Sequence, residues 1–151
     1  MRNDGLSRMD GDAIYSHEIT ADTRVIDANG HVNNVAYVQW MQEAAIAHFR
    51  SIGGIESMRQ AAGTWVARSH WIEYLRPAFA GDRVQIHTWV ASVRRVRSTR
   101  KYSFERASDG AILARGETDW VFVDIETGRP CAIPADIRRA FAIVSSREEQ
   151  E

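Results

Sequence analysis

Residues 27–51 read DANGHVNNVAYVQWMQEAAIAHFRS, and this stretch decides the fold. From Val35 onward it holds no glycine or proline and is rich in good helix formers. Asn33 or Asn34 suits the N-cap and Gly53-Gly54 suit the stop, so the pattern predicts a helix over 35–51. Val38, Met41, Ala45, Phe49 and Ile52 form one apolar stripe at i, i+3, i+4 spacing. Tyr37, Trp40, Ala44 and Ala47 form a second stripe beside it, leaving Gln39, Gln42, Glu43 and Arg50 a narrow polar face. An apolar surface that wide predicts a helix mostly enclosed by the rest of the fold. His48 reads there as a core or interface residue.

Working outward, residues 15–25 mix apolar and β-branched side chains with polar ones and predict an imperfect first strand. Beyond the helix a short polar stretch (56–63) leads to residues 64–74, rich in aromatic and β-branched types and read as a strand. Pro77 and Gly81 mark a turn. Residues 83–93 alternate well, with Val84, Ile86, Thr88 and Val90 on one side and Gln85, His87 and Trp89 on the other. Strands over 98–106 and 111–124 follow, joined by the hairpin signal Asp109-Gly110. Thr127-Gly128 turns the chain, and Pro134 opens a short helix. The order is one strand, one long helix, then four strands linked by tight turns. An antiparallel sheet that buries one face on that helix satisfies it, an α+β architecture. Its open edges favour pairing with a second copy.

The 151 residues suit one domain, taken as 13–144 between a leader (1–12) and a polar tail (145–151). Lys+Arg total 19 and Asp+Glu 20, so no global basicity argues for nucleic acid. No apolar run approaches the ~18 residues of a membrane span, and no secretory signal is evident, so the expected setting is the cytoplasm. A single cysteine, Cys131, excludes an internal disulfide and a multi-cysteine zinc site. There is no G-x-S-x-G, H-E-x-x-H, P-loop or G-x-G-x-x-G. The five histidines lack paired metal-ligand spacing, and His70 and His87 read as structural.

The one dense polar constellation is 27–34, DANGHVNN, immediately before the helix. A helix N-terminus offers unpaired backbone N–H groups and a partial positive charge, which polarise a carbonyl and stabilise an oxyanion. Asp27 there can act as a general base on water or attack directly, with Asn29 and His31 orienting it. The same residue types also suit a plain polar turn that caps the helix. From residue pattern alone both readings stand.

D-x-N-G-H-V-N-N-x-x-Y-x-x-W-x-x-E over 27–43 resembles the hotdog-fold thioesterases of the 4-hydroxybenzoyl-CoA and acyl-ACP thioesterase group. The similarity continues through residues 72–78 with Gly81-Asp82, Asp109-Gly110, 120–124, 128–130 and Ile133-Pro134. The resemblance implies a sheet wrapped around the long helix and hydrolysis of an acyl thioester to acid and thiol. It places the catalytic carboxylate on Asp27, its companions on Asn29 and His31, and the carbonyl-binding amide on Asn34 or Val35, with Glu43 secondary. It implies homodimers or homotetramers with sites between subunits, acyl-CoA or an acyl carrier protein thioester as substrate, and neither metal nor redox cofactor. The basic run 94–101 suits CoA phosphates or an acidic carrier, or else a strand edge kept soluble by charge. Two other activities fit the frame. Hotdog hydratases carry D-x-N-P-x-H, but here the histidine follows the aspartate by four residues instead of five and Gly30 replaces the proline. A non-catalytic acyl-CoA binder is the other.

Overall fold

The computed structural model describes residues 13–144; the expected leader (1–12) and tail (145–151) lie outside the described residues. Strand β1 (Tyr15–Thr20) is shorter than predicted. The Asp22 carboxylate accepts hydrogen bonds from the Arg24 amide (2.8 Å) and guanidinium (2.7 Å) and starts a single 3-10 turn over Thr23–Val25. A side-chain acceptor two residues ahead offers the backbone an alternative to the strand ladder.

Helix α1 (Asn34–Ser51) begins where the sequence predicts. Asn33 is the N-cap: its Oδ1 accepts the Ala36 amide at 2.9 Å while its Nδ2 donates to the Val25 carbonyl at 3.0 Å. One side chain therefore both caps the helix and ties it to the preceding loop. Gly53, at φ 78°, ends the helix as expected, but the chain then forms a second helix, α2 (Gly54–Gln60), in place of a plain polar connection. Gly54 is required there, because a Cβ would lie 2.2 Å from the Phe49 ring.

Four further strands follow: β2 (Gly63–Tyr74), β3 (Arg83–Val93), β4 (Arg97–Arg106) and β5 (Ile112–Asp124). They join β1 in one antiparallel sheet of order β1-β3-β4-β5-β2, and the short helix α3 (Ala135–Ala140) comes last. Strand β2 crosses to the far edge and pairs with β5 from Gly63↔Asp124 to Tyr74↔Ala114, with a bulge between Ala67 and Ser69. The fold is the predicted α+β arrangement, a five-stranded antiparallel sheet against one long helix.

The period of two sorts the sheet's faces. Val84, Ile86, Thr88 and Val90 are buried, as the alternation predicts, and so are Ser98, Arg100, Tyr102 and Phe104 on β4. Tyr37, Trp40, Met41 and Ala44 of α1 pack with Ile86, Tyr102, Phe104 and Leu113 into the main core. A second cluster joins Phe49 to Phe122, Ile133 and Ile137, covering the other end of the sheet. Each such large side chain contributes about 1.5–3 kcal/mol on burial, so these clusters clamp α1 at both ends. The outer face carries cross-strand polar pairs: His87–Glu105, Lys101–Glu117, Arg83–Glu18 and Arg97–Asp119.

Helix α1 is less enclosed than its sequence predicts. Val35 and Ile46 are 75% and 47% exposed in the single chain, and Val66 and Trp71 on the free edge of β2 are exposed too. Tyr37, Trp40 and Ala44 of the second predicted stripe are buried in the core, while Val35 and Ile46 lie with Gln39, Gln42 and Glu43 on an open strip of the helix.

Candidate active site

The loop before α1 is closed by its own hydrogen bonds. An isolated bridge pairs Ile26 with Val32; inside it the Asp27 amide donates to the His31 carbonyl at 2.7 Å and the Gly30 amide to the Asp27 carbonyl at 3.0 Å. Gly30, at φ 81°, supplies the left-handed step that lets so short a loop reverse. The Asp27 side chain is part of this architecture: Oδ1 accepts the amides of Asn29 (2.9 Å) and His31 (3.1 Å). Its other oxygen, Oδ2, has no protein partner among the described residues. Asp27 and Asn29 are exposed; His31 is half-buried, its ring edge-on to Phe79 at 5.3 Å.

The loop delivers the chain directly to the helix N-terminus. Asn33 caps the Ala36 amide, and the amides of Asn34 and Val35 at the first turn have no protein acceptor among the described residues. Both residues are exposed. Tyr74, at the end of β2, donates its hydroxyl to the Asn34 carbonyl at 2.9 Å and packs edge-on against Tyr37. The sequence reading did not single out Tyr74; it anchors the helix start to the sheet. All five expected site residues, Asp27, Asn29, His31, Asn34 and Val35, therefore sit on one loop–helix junction. Asp27 fills the turn-forming role and keeps one carboxylate oxygen without a protein partner among the described residues.

A second feature lies further along α1. A cavity of about 410 Å³ opens between its C-terminal half, α2 and the inner face of β2, β4 and β5. Ala45, Ile46, Phe49, Trp65 and Trp120 make its walls mainly apolar. Its volume falls within the range of small-molecule sites. Arg100 also lines it, although the residue is only 3% exposed. Arg100 Nη1 lies 2.9 Å from His48 Nδ1 and donates to Thr88 Oγ1 at 3.1 Å. His48 is itself buried and stacked on Tyr15, with ring centroids 5.2 Å apart. Burial first, and then the Arg100 charge, push the His48 imidazole down to about 4, so it is neutral at pH 7. Burial pulls the Arg100 guanidinium down to about 10, which leaves it charged.

The basic run divides. Arg94 and Arg95 are exposed at the β3–β4 turn, which is braced by Arg138 donating to both their carbonyls. Arg97 pairs with Asp119 across the outer face, and Arg100 turns inward. The strand does not run straight through Arg95 and Arg97, because Arg94–Val96 is turn. The other expected structural residues fit the fold: His70 Nδ1 meets Thr118 Oγ1 at 2.9 Å, His87 lies between Ser16 and Glu105, and Cys131 packs beside the second cluster. Among the described residues no helix is long and apolar enough to cross a membrane.

A family model described as the thioesterase-like superfamily matches residues 22–141. The chain belongs to that superfamily, and its α+β architecture is the hotdog fold. The chloroplastic oleoyl-acyl carrier protein thioesterase 1 of Arabidopsis thaliana is 26% identical over 156 residues, covering 98% of this chain and 41% of the relative. The L-carnitine dehydrogenase/betainyl-CoA thioesterase of Ruegeria pomeroyi is 26% identical over 123 residues, covering 81% of this chain and 25% of the relative. This chain thus spans less than half the length of these curated relatives. The crystal structure of a 1,4-dihydroxy-2-naphthoyl-CoA thioesterase from Synechocystis superposes with a TM-score of 0.77 at 18% identity, covering 85% of this chain and 95% of that one.

Proposed function

We propose that this chain hydrolyses an acyl thioester, acyl-CoA or an acyl carrier protein thioester, to the free acid and thiol. The observation that carries the reading is the junction of the 27–31 loop with α1: a carboxylate with one oxygen lacking a protein partner lies a few residues ahead of two helix-terminal amides that have no protein acceptor among the described residues. In this reading the thioester carbonyl accepts the Asn34 or Val35 amide, and the positive helix end stabilises the oxyanion. Asp27 acts as general base on water or as nucleophile, held in aim by the Asn29 and His31 amides. The Asn29 and His31 side chains complete the polar rim. Superfamily membership and thioesterase relatives support this chemistry over hydration or simple acyl binding.

The proposal extends to the assembly and its setting. Residues 13–144 act as one hotdog domain, and two copies meet along the open strip of α1 and the free β2 edge, where Val35, Ile46, Val66 and Trp71 lie exposed. Covering those side chains supplies the enclosure that the helix pattern predicts. A homodimer or homotetramer in the cytoplasm follows, with Arg94 and Arg95 available for CoA phosphates or an acidic carrier surface.

Thiol release from a panel of acyl-CoA and acyl carrier protein thioesters tests the reading. Asp27→Asn is expected to lower kcat by about a hundredfold or more with the circular dichroism spectrum unchanged. Full turnover by that variant on every cleaved thioester would refute the assignment of Asp27. Loss of the enoyl absorbance of crotonyl-CoA without thiol release would favour a hydratase instead.

A further inference from the structure

The buried guanidinium of Arg100 has no counter-charge. Its two protein partners are a neutral imidazole and a hydroxyl, and both meet the same nitrogen, Nη1. No carboxylate lies within ion-pair distance of Arg100 among the described residues, and its Nε and Nη2 donors find no protein acceptor there. A buried charge left this way is costly, because desolvation is not offset by a partner. The side chain is nevertheless held in place: Thr88 is fully buried and itself donates to the Lys101 carbonyl at 3.0 Å, while His48 is wedged on Tyr15. Arg100 lines the cavity beneath α1, whose other walls are mainly aromatic and aliphatic.

We infer that Arg100 is a specificity-determining residue that receives an anionic oxygen, a carboxylate, at the far end of the acyl group. The inference rests on the acyl-thioester reading above. The mainly apolar cavity beneath the C-terminal half of α1 takes up the distal methylenes, and the guanidinium fork meets the terminal carboxylate with the donors that the protein leaves unused. CoA phosphates, which must stay near solvent, cannot reach a group 3% exposed. The helix sets the scale. From Val35, at the amide end, to His48, beside Arg100, is about 20 Å along the axis at the α-helical rise. An extended chain gains about 1.2 Å per bond, so the preferred substrate is a long acyl chain rather than a short one.

Matched pairs isolate the end group: octanoyl- against suberoyl-CoA, lauroyl- against dodecanedioyl-CoA, and palmitoyl- against hexadecanedioyl-CoA. With the native chain, the ω-carboxy member is expected to have a kcat/KM at least about tenfold higher in the longer pairs, the ratio for one charge-assisted hydrogen-bonded pair. Arg100→Met is expected to remove that preference while still cleaving the methyl-ended substrates. Equal or greater activity on the methyl-ended member of every pair, or an unchanged ratio in Arg100→Met, would overturn the inference. The native ratio decides alone if the variant does not fold. If no thioester is cleaved, the hydrolysis reading fails, and calorimetric binding of the non-hydrolysable thioether analogues decides separately. Tighter binding of the carboxylate-ended analogue by about tenfold upholds the role of Arg100, and equal binding refutes it.

Discussion

His48 makes the stability of this fold sensitive to mild acid. Its imidazole is buried, stacked on Tyr15, and 2.9 Å from a guanidinium that needs it as an acceptor. Protonation would remove the acceptor lone pair and set two positive charges side by side. Burial, with the neighbouring charge second, accordingly brings the native imidazole down to about 4 from 6.5. In the unfolded chain the group takes up its proton near 6.5, so between pH 6.5 and 4 the unfolded state binds more protons than the native one. Stability from this group is whole above pH 6.5 and is lost as pH falls from there through 4. The difference amounts to at most about 3 kcal/mol, a large share of a typical folding free energy. Urea unfolding followed by circular dichroism at steps between pH 7.5 and 4 measures it. His48→Gln supplies an amide oxygen for Arg100 without a titrating group, so its stability is expected to fall less across that window than the wild type's, the remaining slope coming from groups such as His70, which burial also holds below its usual value. The carboxylates held low, such as Asp124 by the Thr127 and Glu126 amides, titrate below the window. A parallel loss of stability in the wild type and His48→Gln, or a native His48 ring titrating near 6.5 by NMR, would refute the reasoning.

Two further outcomes follow from the ends of α1. Asn33→Ala removes both the cap on Ala36 and the tie to Val25 and is expected to cost about 1–2 kcal/mol by urea titration, while Asn33→Asp keeps the cap alone and recovers part of the loss. Gly54→Ala forces the Phe49 ring to move and is expected to cost about 1–3 kcal/mol. In a Phe49→Leu background the same change should cost measurably less, and a double-mutant cycle with no coupling would contradict the packing described.

The elements with a strong, uniform period were legible in the sequence. Helix α1 and the alternation of β3 both appear with the predicted boundaries to within a residue. The misreadings have local causes. Thr23 and Val25 are strand formers and lengthen the predicted β1, whereas the Asp22 carboxylate captures the backbone there. Gly53-Gly54 signals an ending and so masks helix α2 in the sequence. Its own marks were present in Ile55 and Met58, three residues apart, and in the Glu56–Arg59 pair at i, i+3. At the site, the residues of the 27–34 loop were visible, but the bonds by which Asp27 braces its own turn were not. Arg100 was the most informative omission. Read as one charge in a basic run it belongs outside, yet it shares the parity of Ser98, Tyr102 and Phe104, and on a strand that parity puts it inside.

The sheet meets different demands on its two sides. The cavity and Arg100 lie on the side facing α1, while the opposite side carries mutually paired charges such as His87–Glu105 and Lys101–Glu117. Exposed pairs of that kind contribute little individually, so they can be exchanged at small cost. The fold thereby separates what must be preserved from what is free to vary. Its outward chemistry can drift with each new cellular neighbour while the interior recognition apparatus stays as it is.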